Sequence, residues 1–310
     1  MAQVLCFGNL QCDILCHPVT ALPAPGAIQK IDRINFSLSG NGGNVAAVLG
    51  RLGVSVELAG YSGADLIGEQ FRVLLDELGV GTSHLLRHPT ASTGTSVVTI
   101  APNGERSILF VNGANMLFDL DSVPDAWFYE KKVVVVNAVF VLPQFTGEAV
   151  ERLFARARAF GCATVLNICY DSEGKGLPFL IPGLRETDYF VLNFDEGHQL
   201  TGYSSPQAII ESLEAYTHGR VILTLGADGC YLRSTDAVEI IPAFAVEATD
   251  TTGAGDSFVA GLLTGLVHGR PLSDCASLGC KVAAFAVTGP GAYARIPPLA
   301  EIDQITISLP

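Results

Sequence analysis

The chain has 310 residues, 49% of them apolar and only 16% charged, so it can bury one large α/β core or two ordinary ones. Eighteen basic side chains stand against 31 acidic ones, a formal charge of −13, which argues against nucleic acid or an anionic membrane as partner. No run approaches the roughly 18 uncharged apolar residues of a membrane span, no basic leader opens the chain, and the eight cysteines show neither a C-x-x-C pair nor a zinc spacing with histidine. A soluble cytoplasmic protein with free thiols is expected. Because it is acidic, any polyanionic ligand must be held locally, by backbone donors and metal ions.

Val4 to Phe7 reads as a short buried strand ending at Gly8. Asp13 follows in a Gly-x-x-x-x-Asp pattern, just past the strand's C-terminal end, where ligands of open α/β sheets bind; an ordinary turn aspartate explains the pattern equally well. Residues 12–38 carry prolines at 18, 23 and 25 and then alternate from Ile31 to Leu38. Residues 93–111 alternate on either side of Pro102-Asn103-Gly104-Glu105. Neither stretch has helical periodicity, so both predict strands of a small separate sheet.

Ser39-Gly40-Asn41-Gly42-Gly43-Asn44 leads into a helix with Val45, Val48, Leu49 and Leu52 on one face, ended by Gly53. The glycines allow a ligand close to the backbone, and Asn44 offers donors and an acceptor; a purely structural turn is the competing account. Strand and helix then alternate. Val54–Ala59 is a strand, and Phe71, Leu74, Leu75 and Leu78 mark a helix closed by Gly79. Val133–Asn137 is a strand, Thr146 precedes a helix, and Ala163–Asn167, Tyr189–Leu192 and Val221–Leu225 are strands. This order predicts an α/β three-layer sandwich, a mostly parallel central sheet flanked by helices, in one domain over residues 1–310 with the small sheet inserted.

Asn193-Phe194-Asp195-Glu196 suits either a helix cap, with Glu196 at its third position, or a phosphate- and metal-facing turn. Thr224-Leu225-Gly226-Ala227-Asp228-Gly229 suits either a strand connection or a backbone surface for a nucleotide. The densest pattern is Asp250-Thr251-Thr252-Gly253-Ala254-Gly255-Asp256-Ser257-Phe258, followed by a helix with Phe258, Leu262 and Leu266 on one face. A glycine turn opening a helix presents the unpaired N–H groups of Gly253, Ala254 and Gly255 to an anion. Asp256, in the first turn, serves better as a base than as a phosphate ligand. The combination points to phosphoryl transfer to an alcohol. No Walker motif and no full Gly-x-Gly-x-x-Gly after a strand occurs. A last helix through Leu278, Val282 and Phe285 runs into Ala286-Val287-Thr288-Gly289-Pro290-Gly291.

Residues 250–258 resemble the C-terminal signature of the ribokinase-like, or PfkB, family of carbohydrate and nucleoside kinases, and Ser39–Ala46 resembles its glycine-rich N-terminal element. Further matches run from about residue 4 to about residue 297. The resemblance implies ATP- and Mg²⁺-dependent phosphorylation of a hydroxymethyl group on a small sugar such as ribose or fructose. An adenosine-like nucleoside is the second reading, and a non-catalytic sugar-binding sensor is the alternative of another class. It implies Asp256 as base, an anion hole at Gly253, Ala254 and Gly255, and sugar contacts from Asp13, Gly42, Gly43 and Asn44. Asn193, Thr224, Gly226 and Gly229 would meet the nucleotide, and Glu196 would hold Mg²⁺ through water. Asp250, Thr252, Ala286, Gly289 and Gly291 would form a monovalent-cation site of the K⁺ type, with Arg295 in place of a further serine ligand and able to replace the ion's charge. Ribokinases carry a sugar-contacting glutamate near the position of Val141; an apolar wall there favours a nucleoside base, on which Phe36 or Phe110 could stack, although either also suits lid core. The small sheet would be a lid, paired in a homodimer through its uncovered apolar face.

Overall fold

Val133, Val134, Val135 and Val136 follow one another in a single strand, and their side chains divide between two cores, odd positions to one and even positions to the other. Such a strand needs cover on both faces, which is why the sheet is a middle layer. The computed structural model describes residues 2–233 and 238–304, so the expected span of 1–310 reaches beyond the described residues. Its strands are β1 (Val4–Phe7), β2 (Gln11–His17), β3 (Arg33–Ser39), β4 (Val56–Gly63), β5 (Val80–Gly81), β6 (Leu85–His88) and β7 (Gly94–Ile100) in the first third. There follow β8 (Arg106–Val111), β9 (Val133–Asn137), β10 (Ala163–Asn167), β11 (Tyr189–Asn193), β12 (Arg220–Thr224), β13 (Cys230–Arg233) and β14 (Val238–Ile241). The helices are α1 (Asn41–Arg51), α2 (Leu66–Glu77), α3 (Gly147–Ala159), α4 (Gly176–Leu184), α5 (Phe194–Thr201), α6 (Pro206–Glu214), α7 (Ala254–Val267), α8 (Leu272–Ala286) and the short α9 (Leu299–Gln304).

The main sheet runs β14-β13-β12-β11-β10-β9-β1-β4-β5, with β6 also on β4. It is parallel except for β13 and β14. Val45, Leu49, Phe71, Leu262 and Val282 pack with Val133 and Val135, which puts α1, α2, α7 and α8 on one side. Leu153, Phe154, Leu180, Ile209 and Leu213 pack with Val134 and Val136, which puts α3, α4 and α6 on the other. The chain departs from β1 to β4 on one side and returns to β9 on the other, so a crevice opens at the C-terminal ends of the strands beside β1. One expected bound shifts, and one helix gains its start. The strand placed at 54–59 occupies Val56–Gly63, and the helix through Phe71 starts at Leu66 because the Asp65 carboxylate caps it, accepting from the Gly68 N–H. No helix among the described residues is long and apolar enough to cross a membrane.

The small sheet has the order β3-β2-β7-β8. Register sets its two faces. Ser37, Asp13, Ser96 and Phe110 form one cross-strand row; Phe36, Ile14, Val97 and Leu109 form the next, on the opposite face. That second face is apolar and open, with Phe36 71% and Leu109 61% exposed. Neither Phe36 nor Phe110 is therefore lid core: both are exposed, on opposite faces of a sheet one layer thick.

Candidate active site

Four neighbouring parallel strands, β9 to β12, each end an apolar run on a polar residue: Asn137, Asn167, Asn193 and Thr224. Register aligns Asn137 with Asn167 and Asn193 with Thr224, so the C-terminal edge of the sheet is a polar shelf. Asn137 is wholly buried and donates to the Phe7 carbonyl at 2.9 Å; Asn167 donates to Asn137 Oδ1 at 3.3 Å. A cavity of about 200 Å³ lies over the shelf, lined by Asn167, Asn193, Thr224, Glu196, Asp256 and the turn that opens α7.

Gly253 caps α7 with φ 75°, in the left-handed region, and a Cβ there would lie 2.3 Å from the Ala292 Cβ. This turn exposes backbone donors. Among the described residues no protein acceptor meets the N–H of Gly253 or Gly255, whereas the Ala254 N–H donates to the Thr251 carbonyl at 3.2 Å. The amides of Gly253 and Gly255 are thus open, whereas that of Ala254 closes the turn.

Asp256 is 6% exposed, and each of its oxygens takes one amide hydrogen bond: Oδ1 from Asn41 Nδ2 at 2.9 Å and Oδ2 from Asn44 Nδ2 at 2.7 Å. Burial raises its pKa; the two amides, which favour the charged form, oppose the rise. Asn41 and Asn44 lie three residues apart on α1, hence on one helix face. The helix reaches Asp256 because its first turn presses on the β1 exit, where a Cβ on Gly42 would come within 2.7 Å of the Gly8 Cα. Gly42 and Gly43, expected to line a sugar pocket, are buried, and their Cβ directions point at Gly8 and at the Leu10 side chain. Asn44, expected to face a ligand, faces Asp256. Asn41 had no role in the sequence reading; its helical spacing from Asn44 was the available signal.

Asn193 and Glu196 form a reciprocal cap: the Glu196 N–H donates to Asn193 Oδ1 at 2.8 Å and the Asn193 N–H to Glu196 Oε2 at 2.9 Å. Glu196 also lines the cavity, so the cap and the pocket-facing turn are the same structure. Burial, with Asp256 and Asp195 nearby and against the Asn193 N–H, pushes its pKa up to about 7. Two buried carboxylates beside two open amides suit a divalent cation paired with an anion. Among the described residues no group of three or more His, Cys, Asp or Glu could hold a metal ion; Mg²⁺ in general keeps several waters and takes one or two carboxylates. Thr224 lines the cavity and open space lies over Gly226, but Gly229 is shut, since a Cβ there would lie 2.0 Å from the Ile241 carbonyl.

Asp13 lies inside β2, on the small sheet, and not in a turn after β1. It accepts a hydrogen bond from the Ser96 hydroxyl on β7. Gln11, two residues earlier and so on the same face, is 5% exposed; its Nε2 donates to the Val111 carbonyl at 3.3 Å, while its buried Oε1 has no partner. The Asn112 Oδ1 is likewise buried and unpartnered, and its Nδ2 donates to the carbonyl of Val141. Gln11 and Asn112 escaped the sequence reading, although period-two spacing from Asp13 pointed to the first.

The five residues expected to bind a monovalent cation are engaged with one another. Asp250 Oδ1 accepts from the Thr252 N–H at 3.0 Å and hydroxyl at 2.6 Å, and Oδ2 from the Gly291 N–H at 3.2 Å. The Ala286 carbonyl takes the Gly289 N–H at 3.3 Å. The guanidinium at Asp250 belongs to Arg106, whose Nη2 is 3.4 Å from Oδ1 and whose Nη1 donates to the Thr252 hydroxyl at 3.0 Å. Arg295, expected there, lies across Gly289. Burial pushes the Asp250 pKa up, and these donors outweigh it and hold it low. Asp250 therefore already has a cationic group beside it, the guanidinium of Arg106.

The model of the pfkB family of carbohydrate kinases matches residues 1–298. A ribokinase of Staphylococcus aureus is 31% identical over 250 residues, 78% of this chain and 78% of its own. A nucleoside kinase of Methanothermobacter thermautotrophicus is 28% identical over 303 residues, 96% and 94% of the two chains. The structure of Arabidopsis thaliana ribokinase complexed with ribose and ATP superposes with a TM-score of 0.86 over 98% of both chains at 21% identity, a likeness of fold.

Proposed function

The chain belongs to the pfkB family of carbohydrate kinases, phosphotransferases with an alcohol acceptor, and from that premise we propose that it transfers the γ-phosphoryl group of ATP to the hydroxymethyl group of a small sugar. The observation that carries this reading is the placement of Asp256: a buried carboxylate held by two amides at the mouth of a helix whose Gly253 and Gly255 amides are open. Asp256 takes the proton of the acceptor hydroxyl, and the two amides meet the charge that gathers on the transferring group. Mg²⁺, when bound beside Glu196, neutralises phosphate charge. Asn193, Thr224 and the open backbone at Gly226 lie on the nucleotide side.

The small sheet acts as a lid on a single domain. Its Asp13 face carries Asp13, an acceptor for sugar hydroxyls, and its closure excludes water as a competing acceptor. A nucleoside is the second reading, favoured by Phe110, which shares Asp13's row and is 59% exposed, free to stack on a base. A coupled ADP-release assay over pentoses, hexoses and nucleosides tests both. A hexose or pentose with the highest kcat/KM supports the first reading, a nucleoside the second, and ADP release with none of them overturns the proposal.

Two expectations follow from the same geometry. Glu196 must be ionised to hold hydrated Mg²⁺, and its pKa is about 7. The Mg²⁺ concentration for half-maximal rate should rise by about tenfold for each pH unit below about 7, and Glu196→Gln should raise it and flatten that dependence. A requirement unchanged between pH 6 and 8 in the unaltered protein would exclude Glu196 as the holder. The apolar outer face of the small sheet, with Ile34, Phe36 and Leu109 exposed, is the surface of a homodimer. Phe36→Asp with Leu109→Asp should give a monomer by sedimentation equilibrium; a monomer before substitution would refute the pairing.

A further inference from the structure

We propose that Arg106 is a positioning residue for phosphoryl transfer, a cation carried by the small sheet that stands where a monovalent ion would otherwise neutralise Asp250. This rests on the reading of the Gly253–Asp256 turn as the transfer site. Arg106 is the first residue of β8, four residues before Phe110 and so on the face that carries Asp13. Its guanidinium forks over two groups of the 250–253 turn, the Asp250 carboxylate and the Thr252 hydroxyl.

Asp250 is where that turn is tied to the rest of the site. Through Oδ1 it holds Thr252, the residue before Gly253; through Oδ2 it holds the N–H of Gly291, the neighbour of Ala292, against which Gly253 packs. Displacing Asp250 therefore displaces the open amides. A half-exposed ion pair adds little to global stability, at most about 1 kcal/mol. Its consequence here is positional: the charge that steadies Asp250 arrives only when the small sheet lies over the turn. Closing over the acceptor and completing the anion-facing turn become one event. K⁺ has no part in it while the Arg106 guanidinium lies on Oδ1 of Asp250. A lysine would supply the charge but not the two-pronged contact.

The experiment compares the full chain with Arg106→Lys and Arg106→Ala at constant ionic strength in KCl or tetramethylammonium chloride. Two quantities are read, the thermal midpoint and steady-state kinetics on the best acceptor. The unaltered protein should show the same midpoint and rates within twofold in both salts. Arg106→Ala should lose about 10- to 100-fold in kcat in tetramethylammonium, with a smaller change in KM for ATP, since a shifted turn costs the reaction more than it costs binding. KCl should restore part of that rate and raise the midpoint of the alanine variant alone, with the lysine variant intermediate. Strong K⁺ activation or K⁺ stabilisation of the unaltered protein would overturn the proposal, as would an alanine variant with full kcat in both salts. If no acceptor is phosphorylated the transfer reading falls, and the midpoints in the two salts still decide whether Arg106 replaces the ion.

Discussion

Asp256→Asn should yield a folded protein that binds nucleotide and turns over about 10²- to 10⁴-fold more slowly, the usual contribution of a positioned general base. The reason lies in what the side chain touches. Asn41 and Asn44 spend one amide each on its two oxygens, so the carboxylate is aimed and cannot swing, while burial keeps it a stronger base than an exposed aspartate. Asparagine keeps the shape and loses the ability to take a proton. Removing one amide instead, as in Asn44→Ala, withdraws support from the charged form. The Asp256 pKa then rises further, and the acid limb of kcat/KM moves to higher pH. Single-turnover rates and a pH profile check both. A wild-type rate in Asp256→Asn removes this residue as base, and a downward shift of the acid limb in Asn44→Ala contradicts the hydrogen-bond account.

Gly253→Ala should be the most damaging change of a single methyl group. At φ 75° an L-residue costs about 1–2 kcal/mol, and the new Cβ would meet the Ala292 Cβ at 2.3 Å, so the turn has to move. Moving it takes the Gly253 and Gly255 amides off the line they share with Asp256. Turnover should fall about 10²- to 10³-fold, the loss seen when one oxyanion donor is misplaced, with a lower thermal midpoint. Ala292→Gly in the same chain relieves the contact and should recover part of the midpoint without recovering all of the rate, because the backbone conformation remains strained. Full turnover in Gly253→Ala would mean that these amides do not meet the developing charge.

Much of the molecule was legible before folding because the relevant patterns are local. Val133 to Asn137 announces a strand, Val45 to Leu52 a helix, and the Gly253–Asp256 turn a helix mouth; each depends on residues within one or two turns of chain. The start of α2 was not read from the periodic residues; the Asp65 cap sets it. Roles moved where the partner was distant. A ligand and a neighbouring strand both demand a missing Cβ at Gly42, and the packing on Gly8 is visible only in the fold. Gly229 was ambiguous for the same reason. Ala254 looked like an open donor until the turn bent its N–H onto Thr251.

By itself the sequence determined the layered α/β architecture, the second small sheet, the family, and the glycine turn that opens a helix at Gly253–Asp256, all of them carried by short periodic patterns or contiguous motifs. Only the tertiary structure decided what surrounds that turn. Asn41 and Asn44 reach Asp256 across 215 and 212 residues, and Arg106 reaches Asp250 across 144. Such contacts are set by how strands order themselves in two sheets and how helices lie across them. No local spacing encodes that, because the same asparagine or arginine, on the same helix or strand, would meet a different partner if one crossover placed its neighbour elsewhere.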